Sequence, residues 1–215
     1  MNDLHKRLRA WWGLRRTRRV EVAGRTFQVP PGVLDPVLFR AGAWFAGEVR
    51  AAAAQRSGLR VLDMGCGTGV VGVLAQDAGA SVVATDLDPV ACGAARDNGL
   101  NDVRRGDLFE PLPDEQFDLI AFNPPYLVGR PSQHPLGRAL YGGEDLDVVR
   151  RFAQQVTRHL APGGRAWVVL SDHAPGAAAA LGPGWVRDRQ ACIEGETLAL
   201  WTHSAQTSIP AQELR

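Results

Sequence analysis

Apolar residues recur with two periods along the chain, and the switches between them outline its elements. Val20, Val22, Phe27 and Val29 alternate with polar neighbours on either side of Ala23-Gly24. That alternation predicts a β-hairpin, closed by Pro30-Pro31-Gly32. Asp35-Pro36 then reads as a helix start, and residues 37–55 follow a helical period. Beyond residue 58, short apolar runs alternate with helical stretches. Strands are predicted at 59–64, 81–86, 102–106, 117–122 and 165–170. Helices are predicted from the glycine loop to residue 78, over 89–98, over 144–160 and over 174–181. Strands at 184–191 and 197–202 close the pattern, joined by the short turn Glu194-Gly195-Glu196, so they must pair antiparallel. Alternating strands and helices imply an α/β fold around a mostly parallel sheet of seven strands with an antiparallel C-terminal hairpin.

Upstream of this pattern, Leu4, Leu8, Trp11 and Trp12 share one face of a predicted helix. Eight of the 24 Lys and Arg residues, but only two of the 23 Asp and Glu, lie in residues 1–25. This basic amphipathic segment either docks on its own domain or meets an anionic partner such as nucleic acid. No apolar run approaches the roughly 18 residues of a membrane span. Three cysteines, odd in number and widely spaced, form no CxxC, which points to a reducing cytoplasm rather than a disulfide framework. The five histidines show no metal-ligand spacing.

The candidate chemistry gathers where strands end. Val61-Leu-Asp-Met-Gly-Cys-Gly-Thr-Gly69 runs from a strand into a helix. Its glycines let the backbone approach a ligand that a Cβ would exclude. Gly67-Thr-Gly-Val-Val-Gly72 formally spells the dinucleotide fingerprint GxGxxG. Asp63 argues against a pyrophosphate there and for a ligand carrying an ammonium group, so S-adenosylmethionine (SAM) is favoured over NAD. Cys66, inside the loop, fills space beside such a ligand. Asp86 closes the second parallel strand, where an acid can accept from ribose hydroxyls. Asp88 before Pro89 is the better helix cap. Asp107 can accept from an adenine amino group, with Leu108 or Phe109 against the ring. Asn123-Pro-Pro-Tyr126 follows the fourth parallel strand. The Asn123 side-chain oxygen and the Pro124 carbonyl can each accept one hydrogen of a planar –NH₂ group, and Tyr126 can stack on it. Arg130 and Arg138 flank the loop beyond, where they serve an anionic substrate or the solubility of a lid.

The set LDMGCGTG, TDLDP, GDLF and FNPPYL resembles the class I SAM-dependent methyltransferases of the NPPY type. It is most similar to the HemK-like protein-(glutamine-N5) methyltransferases and the small-domain methyltransferase group. The resemblance implies a Rossmann-like fold with helices on both sheet faces. It implies SAM bound by Asp63, Gly65, Gly67, Asp86, Asp107 and Asn123, with Leu87 and Leu108 beside the adenosine. Asn123, Pro124 and Tyr126 would position the acceptor nitrogen. The acceptor implied is a protein glutamine amide; an exocyclic amine of adenine or guanine in RNA or DNA, and a small-molecule amine, fit the same geometry. A noncatalytic SAM-binding module is the reading of a different class. The stretch from Tyr141 to Asp147 is similar to the glycine-rich segment that follows NPPY in the glutamine enzymes. The domain organisation expected is a basic segment over 1–26, a methyltransferase domain over 27–203 and a flexible tail over 204–215.

Overall fold

The computed structural model describes residues 16–130, 135–174 and 176–205. The predicted helix carrying Trp11 and Trp12, His134 and residues 206–215 lie outside the described residues.

The chain opens with the hairpin of β1 (Arg18–Val22) and β2 (Arg25–Val29). Ala23 and Gly24 both adopt left-handed backbone, with φ of 52° and 79°. A two-residue turn of that kind matches the twist of its flanking strands. Val20, Val22, Phe27 and Val29 are buried in the same core as the main sheet. The hairpin therefore spans residue 26 and packs as one unit with that sheet.

The main sheet holds β3 (Arg60–Met64), β4 (Ser81–Asp86), β5 (Val103–Arg105), β6 (Phe117–Phe122), β7 (Leu160–Ser171), β8 (Val186–Ile193) and β9 (Glu196–Ser204). Their order is β5-β4-β3-β6-β7-β9-β8. The first five run parallel, while β9 pairs antiparallel with both β7 and β8. This is the predicted seven-stranded, mostly parallel sheet with an antiparallel C-terminal hairpin.

Residue alternation along the strands assigns the two faces. Val61, Leu119, Ala121, Trp167 and Val169 meet the hairpin, α1 (Ala41–Gln55), α2 (Val70–Asp77) and α3 (Pro89–Asp97). Leu62, Ile120, Phe122, Val168 and Leu170 meet α5 (Asp147–Gln155) and α6 (Ala177–Ala180) on the other face. Between them in the chain, α4 (Pro135–Leu140) sits in the segment after the NPPY motif. Among the described residues no helix is long and apolar enough to cross a membrane.

Several predicted bounds need correction: the helix expected over 174–181 is only Ala177–Ala180, and the strand expected over 165–170 runs from Leu160 to Ser171. The helix expected over 37–55 begins at Ala41, because buried Asp35 takes the N–H groups of Val37 and Leu38 at 2.8 and 3.1 Å and holds the preceding residues in turns. The helix expected over 144–160 starts at Asp147 and ends at Gln155. A 3₁₀ turn over Val156–His159 comes next, and Leu160 already belongs to β7.

Candidate active site

The C-terminal ends of β3, β4, β5 and β6 border a cleft of about 330 Å³. An open α/β sheet binds its ligands there because the strand order reverses at this edge. Asp63, Gly65, Cys66, Gly67, Asp86, Leu87, Asp107, Leu108 and Asn123 all line it. Sequence positions 63 to 123 thus converge on one cavity.

Asp63 is buried at the end of β3, and its Oδ2 accepts the Gly72 N–H at 2.8 Å. Helix α2 begins after Gly69, which has no side chain to cap it. The carboxyl from the strand supplies the missing acceptor, at the positive end of the helix dipole. Burial outweighs that bond, so the Asp63 carboxyl is pushed up to about 7, with repulsion from Asp86 adding to the rise. Burial likewise pushes the Cys66 thiol up, which keeps it neutral.

Asp86 knits the glycine loop to the next turn. Its Oδ2 accepts the Gly67 N–H at 2.9 Å and its Oδ1 accepts the Asp88 N–H at 2.8 Å. Burial raises its pKa and these backbone bonds restrain the rise. Gly67 holds φ at 55°, in the left-handed region that glycine enters without strain. Asp88 caps α3 as expected, its Oδ1 accepting the Val90 N–H at 2.8 Å, with Pro89 in the first turn. Leu87 is half-exposed at the cleft rim, while Leu108 is buried in left-handed backbone at φ 49°.

Asp107 is engaged by a partner that no local pattern announces. Arg151 Nη1 on α5 donates to Asp107 Oδ2 at 2.6 Å, across 44 residues of chain. The same guanidinium holds Asp147 at 2.9 Å. The bond to Asp107 raises the Arg151 pKa.

The NPPY residues straddle two cavities. Asn123 and Pro125 line the cleft, and Asn123, Pro124 and Tyr126 line an adjoining cavity of about 40 Å³. Leu34, Phe39, Asn123 and Ala139 border both, and Asn123 is the polar side chain among these four. The segment after NPPY returns alongside itself: Leu127 bridges Tyr141 and Gly129 bridges Gly143. Arg138 on α4 reaches Asp88 at 3.7 Å, and Arg130 pairs with Glu144 at 2.9 Å. Both arginines thus face carboxylates of the chain itself.

Sequence reasoning misses one wall altogether. Val33, Leu34, Asp35, Pro36 and Phe39 line the cleft from the segment before α1. Asp35 is buried and ion-paired with Arg18 of β1, which anchors this segment to the hairpin. The Asp-Pro pair is the available signal, and by itself it reads only as a helix start.

Comparison with known proteins gives the same outline. A release factor glutamine methyltransferase of Gloeobacter violaceus is 38% identical over 126 residues, covering 50% of this chain and 44% of that protein. A ribosomal protein uL3 glutamine methyltransferase of Bradyrhizobium diazoefficiens is 40% identical over 122 residues, covering 49% and 38%. The chain spans about half the length of the curated relatives it matches. Among solved structures, a 16S rRNA N2 methyltransferase of T. thermophilus in complex with AdoMet and guanosine superposes with a TM-score of 0.64. That match has 22% identity over 89% of this chain and 50% of the other, and it shows a shared fold. The methyltransferase small domain matches residues 49–182, from within α1 to just past α6. Since that stretch is more than half of the chain and contains the glycine loop and the NPPY motif, the chain belongs to the methyltransferase small domain family.

Proposed function

We propose that this chain is a SAM-dependent N-methyltransferase whose acceptor is the side-chain amide of a protein glutamine. One observation carries the reading: Asn123 is the polar side chain at the junction between a large cleft and a small chamber. The cleft suits a nucleoside-bearing ligand in size. Its donor set suits SAM in chemistry: a buried carboxyl at Asp63 for an ammonium group, a second at Asp86 for ribose hydroxyls, and apolar Leu87 and Leu108 for a flat ring. Among the described residues the cleft walls offer no cluster of cations for a pyrophosphate, since Arg138 and Arg151 are both turned to carboxylates.

When bound, SAM supplies a methyl group activated by its sulfonium. The residues of the chain hold and orient the acceptor. Asn123 and Pro124 accept the two hydrogens of a planar –NH₂ group and favour the positive charge that develops on nitrogen. That nitrogen sheds its proton after it gains the methyl group, so no general base is required. Orientation of this kind contributes at most about 7–11 kcal/mol.

Two relatives named for glutamine methylation of a release factor and of a ribosomal protein support the same acceptor, and with it a cytoplasmic setting.

The test is transfer of labelled methyl from SAM into an extract of the source cells, divided between protease and nuclease treatment. Label lost with protease, followed by mass spectrometry that finds N5-methylglutamine, is the expected result. Label lost only with nuclease would overturn the amide reading and make the basic N-terminal segment a nucleic-acid arm. Label surviving both treatments would move the acceptor to a small molecule.

A further inference from the structure

Asp86 holds one side of the glycine loop, and a second hold comes from a side chain that does not line the cleft. Asn98 follows α3 as its C-cap and is buried. Its Nδ2 donates to the Thr68 carbonyl at 2.9 Å and to the Gln28 carbonyl at 2.9 Å. Its Oδ1 accepts the Gln28 N–H at 2.7 Å. One side-chain amide thus uses both of its hydrogens and its oxygen. Gln28 lies on β2 opposite Arg19, at a hairpin position whose N–H and C=O face away from β1. Asn98 pairs with that outer edge much as a strand would, and its remaining hydrogen goes to the loop.

Thr68 stands at the centre of the loop. It is buried, lines the cleft and sits between Gly67 and Gly69, whose φ values are 55° and 78°. Two flanking glycines give the chain its tight turn and also its greatest conformational freedom. Neighbours must then fix the shape. Asp86 takes the Gly67 N–H and Asn98 takes the Thr68 C=O. Packing around the end of α3 confines Gly69, where a β-carbon would stand 3.1 Å from Ala95 and Leu100. We infer that Asn98 is a positioning residue for the cofactor, which ties the glycine loop to the β1–β2 hairpin and so holds it in its SAM-binding shape.

The hairpin that anchors this tie lies outside the stretch 49–182 matched by the family. It also braces another wall of the cleft, since Arg18 of β1 is paired with buried Asp35. The inference rests on SAM as the ligand of the cleft and is independent of the acceptor. A loop that holds the binding shape for only part of the time binds with its affinity reduced by that fraction. Once SAM fills the cleft the ligand itself holds the loop, so transfer at saturation proceeds as before. The signature is a higher dissociation constant and KM for SAM at nearly unchanged kcat.

The experiment titrates the whole chain with SAM by calorimetry, well below its melting temperature, and follows hydrogen exchange of the loop amides in the free chain. Asn98→Ala removes all three bonds. It is expected to raise the SAM dissociation constant about tenfold and to speed loop exchange, with kcat at saturating SAM within about twofold. Gln28→Pro cuts the tie from its other end, removing only the N–H that Asn98 accepts at an edge position where proline is tolerated. Its dissociation constant should rise about threefold, and it decides the matter if Asn98→Ala fails to fold. Arg25→Met loosens the hairpin without touching Thr68, by removing bonds to Asp77 at 2.6 and 2.7 Å and to the Asn98 carbonyl at 3.4 Å. That variant should melt lower yet bind SAM as tightly as wild type. A purely structural Asn98 would lower the melting temperature in Asn98→Ala and Gln28→Pro with SAM affinity and loop exchange unchanged, and that pattern would overturn the inference. An equal loss of SAM affinity in Arg25→Met would overturn it too, since general loosening of the hairpin would then account for the effect. If the wild-type chain itself fails to bind SAM, the cofactor reading fails first and takes this inference with it.

Discussion

Gly142 lies so close to Pro125 that a β-carbon at residue 142 would stand 2.2 Å from the Pro125 carbonyl oxygen. The contact joins the centre of the NPPY motif to the glycine-rich segment after it. Hydrogen bonds fix the approach on one side: Leu127 N–H donates to Leu140 C=O at 2.9 Å, and Gly142 N–H donates to Leu127 C=O at 3.0 Å. Backbone atoms occupy the space, so no side-chain rotation can relieve an added methyl group. Gly142→Ala should therefore force the NPPY turn and its partner strand apart. The expected outcome is a loss of methyl transfer of at least about a hundredfold, because a small displacement of a positioning group suffices for that. Methyl transfer alongside the SAM dissociation constant checks it. Activity near wild type would show that the two segments need no such contact.

Asn123 predicts a complementary split. It borders the cleft with one part of its surroundings and the acceptor chamber with the other. Removing its side-chain oxygen in Asn123→Ala deletes one of the two acceptors for the –NH₂ group. Turnover should fall by about 10²–10³, the usual effect of removing one transition-state hydrogen-bond partner. SAM affinity should change far less, since Asp63, Asp86 and the glycine loop remain. Single-turnover rates and a binding isotherm measured on the same preparation separate the two effects.

Asp86 should behave in the opposite way. Its two oxygens hold the amides of Gly67 and Asp88, so the side chain shapes the loop as well as facing the cleft. Asp86→Ala leaves both N–H groups to find other partners and removes the proposed ribose acceptor. SAM binding should weaken by at least about tenfold, at a cost in stability of about 1–3 kcal/mol from the orphaned amides. Calorimetric titration and thermal melts measure the two. An unchanged dissociation constant would remove Asp86 from the binding site.

The parts of this design that sequence reveals are those set by local periodicity. Val61 and Leu62 face opposite sides of the sheet because strand side chains alternate, and the pattern says so before any contact is known. The glycine loop is legible because left-handed backbone at fixed spacing calls for glycine, and NPPY because its unusual run of residue types stands directly after a strand. Arg151 on Asp107 and Arg18 on Asp35 are different in kind. They join side chains far apart in the chain, and neither member carries a local signature. Arg40, ion-paired with Glu194, shows the same limit: nothing in its neighbourhood says that the β8–β9 turn will stand across from it. The early end of α5 is hidden because a 3₁₀ turn and an α-helical turn carry similar apolar spacing.

Asp63 links ligand binding to pH. Its carboxyl rises from an ordinary 3.8 to about 7 because burial disfavours the charged form more than the Gly72 amide supports it. The folded chain therefore holds a proton there, between those values, that the unfolded chain has released. By linkage, this group's contribution to stability falls as pH rises from 3.8 to about 7, and is flat above that. A bound ammonium group reverses the preference, since it stabilises the carboxylate. SAM should then bind more tightly as pH rises toward about 7, with proton release on binding below that pH and a plateau above it. Asp86 is also raised by burial and lies near enough to add to the profile. Asp63→Asn separates the two, because it keeps an oxygen for the Gly72 N–H and removes the titrating proton. The variant should bind SAM more weakly at high pH and lose most of the slope below about pH 7. Titration calorimetry in buffers of different ionisation enthalpy reads both the affinity and the proton count. An identical slope in wild type and Asp63→Asn would assign the pH dependence to Asp86 and leave Asp63 as the cap of α2 alone.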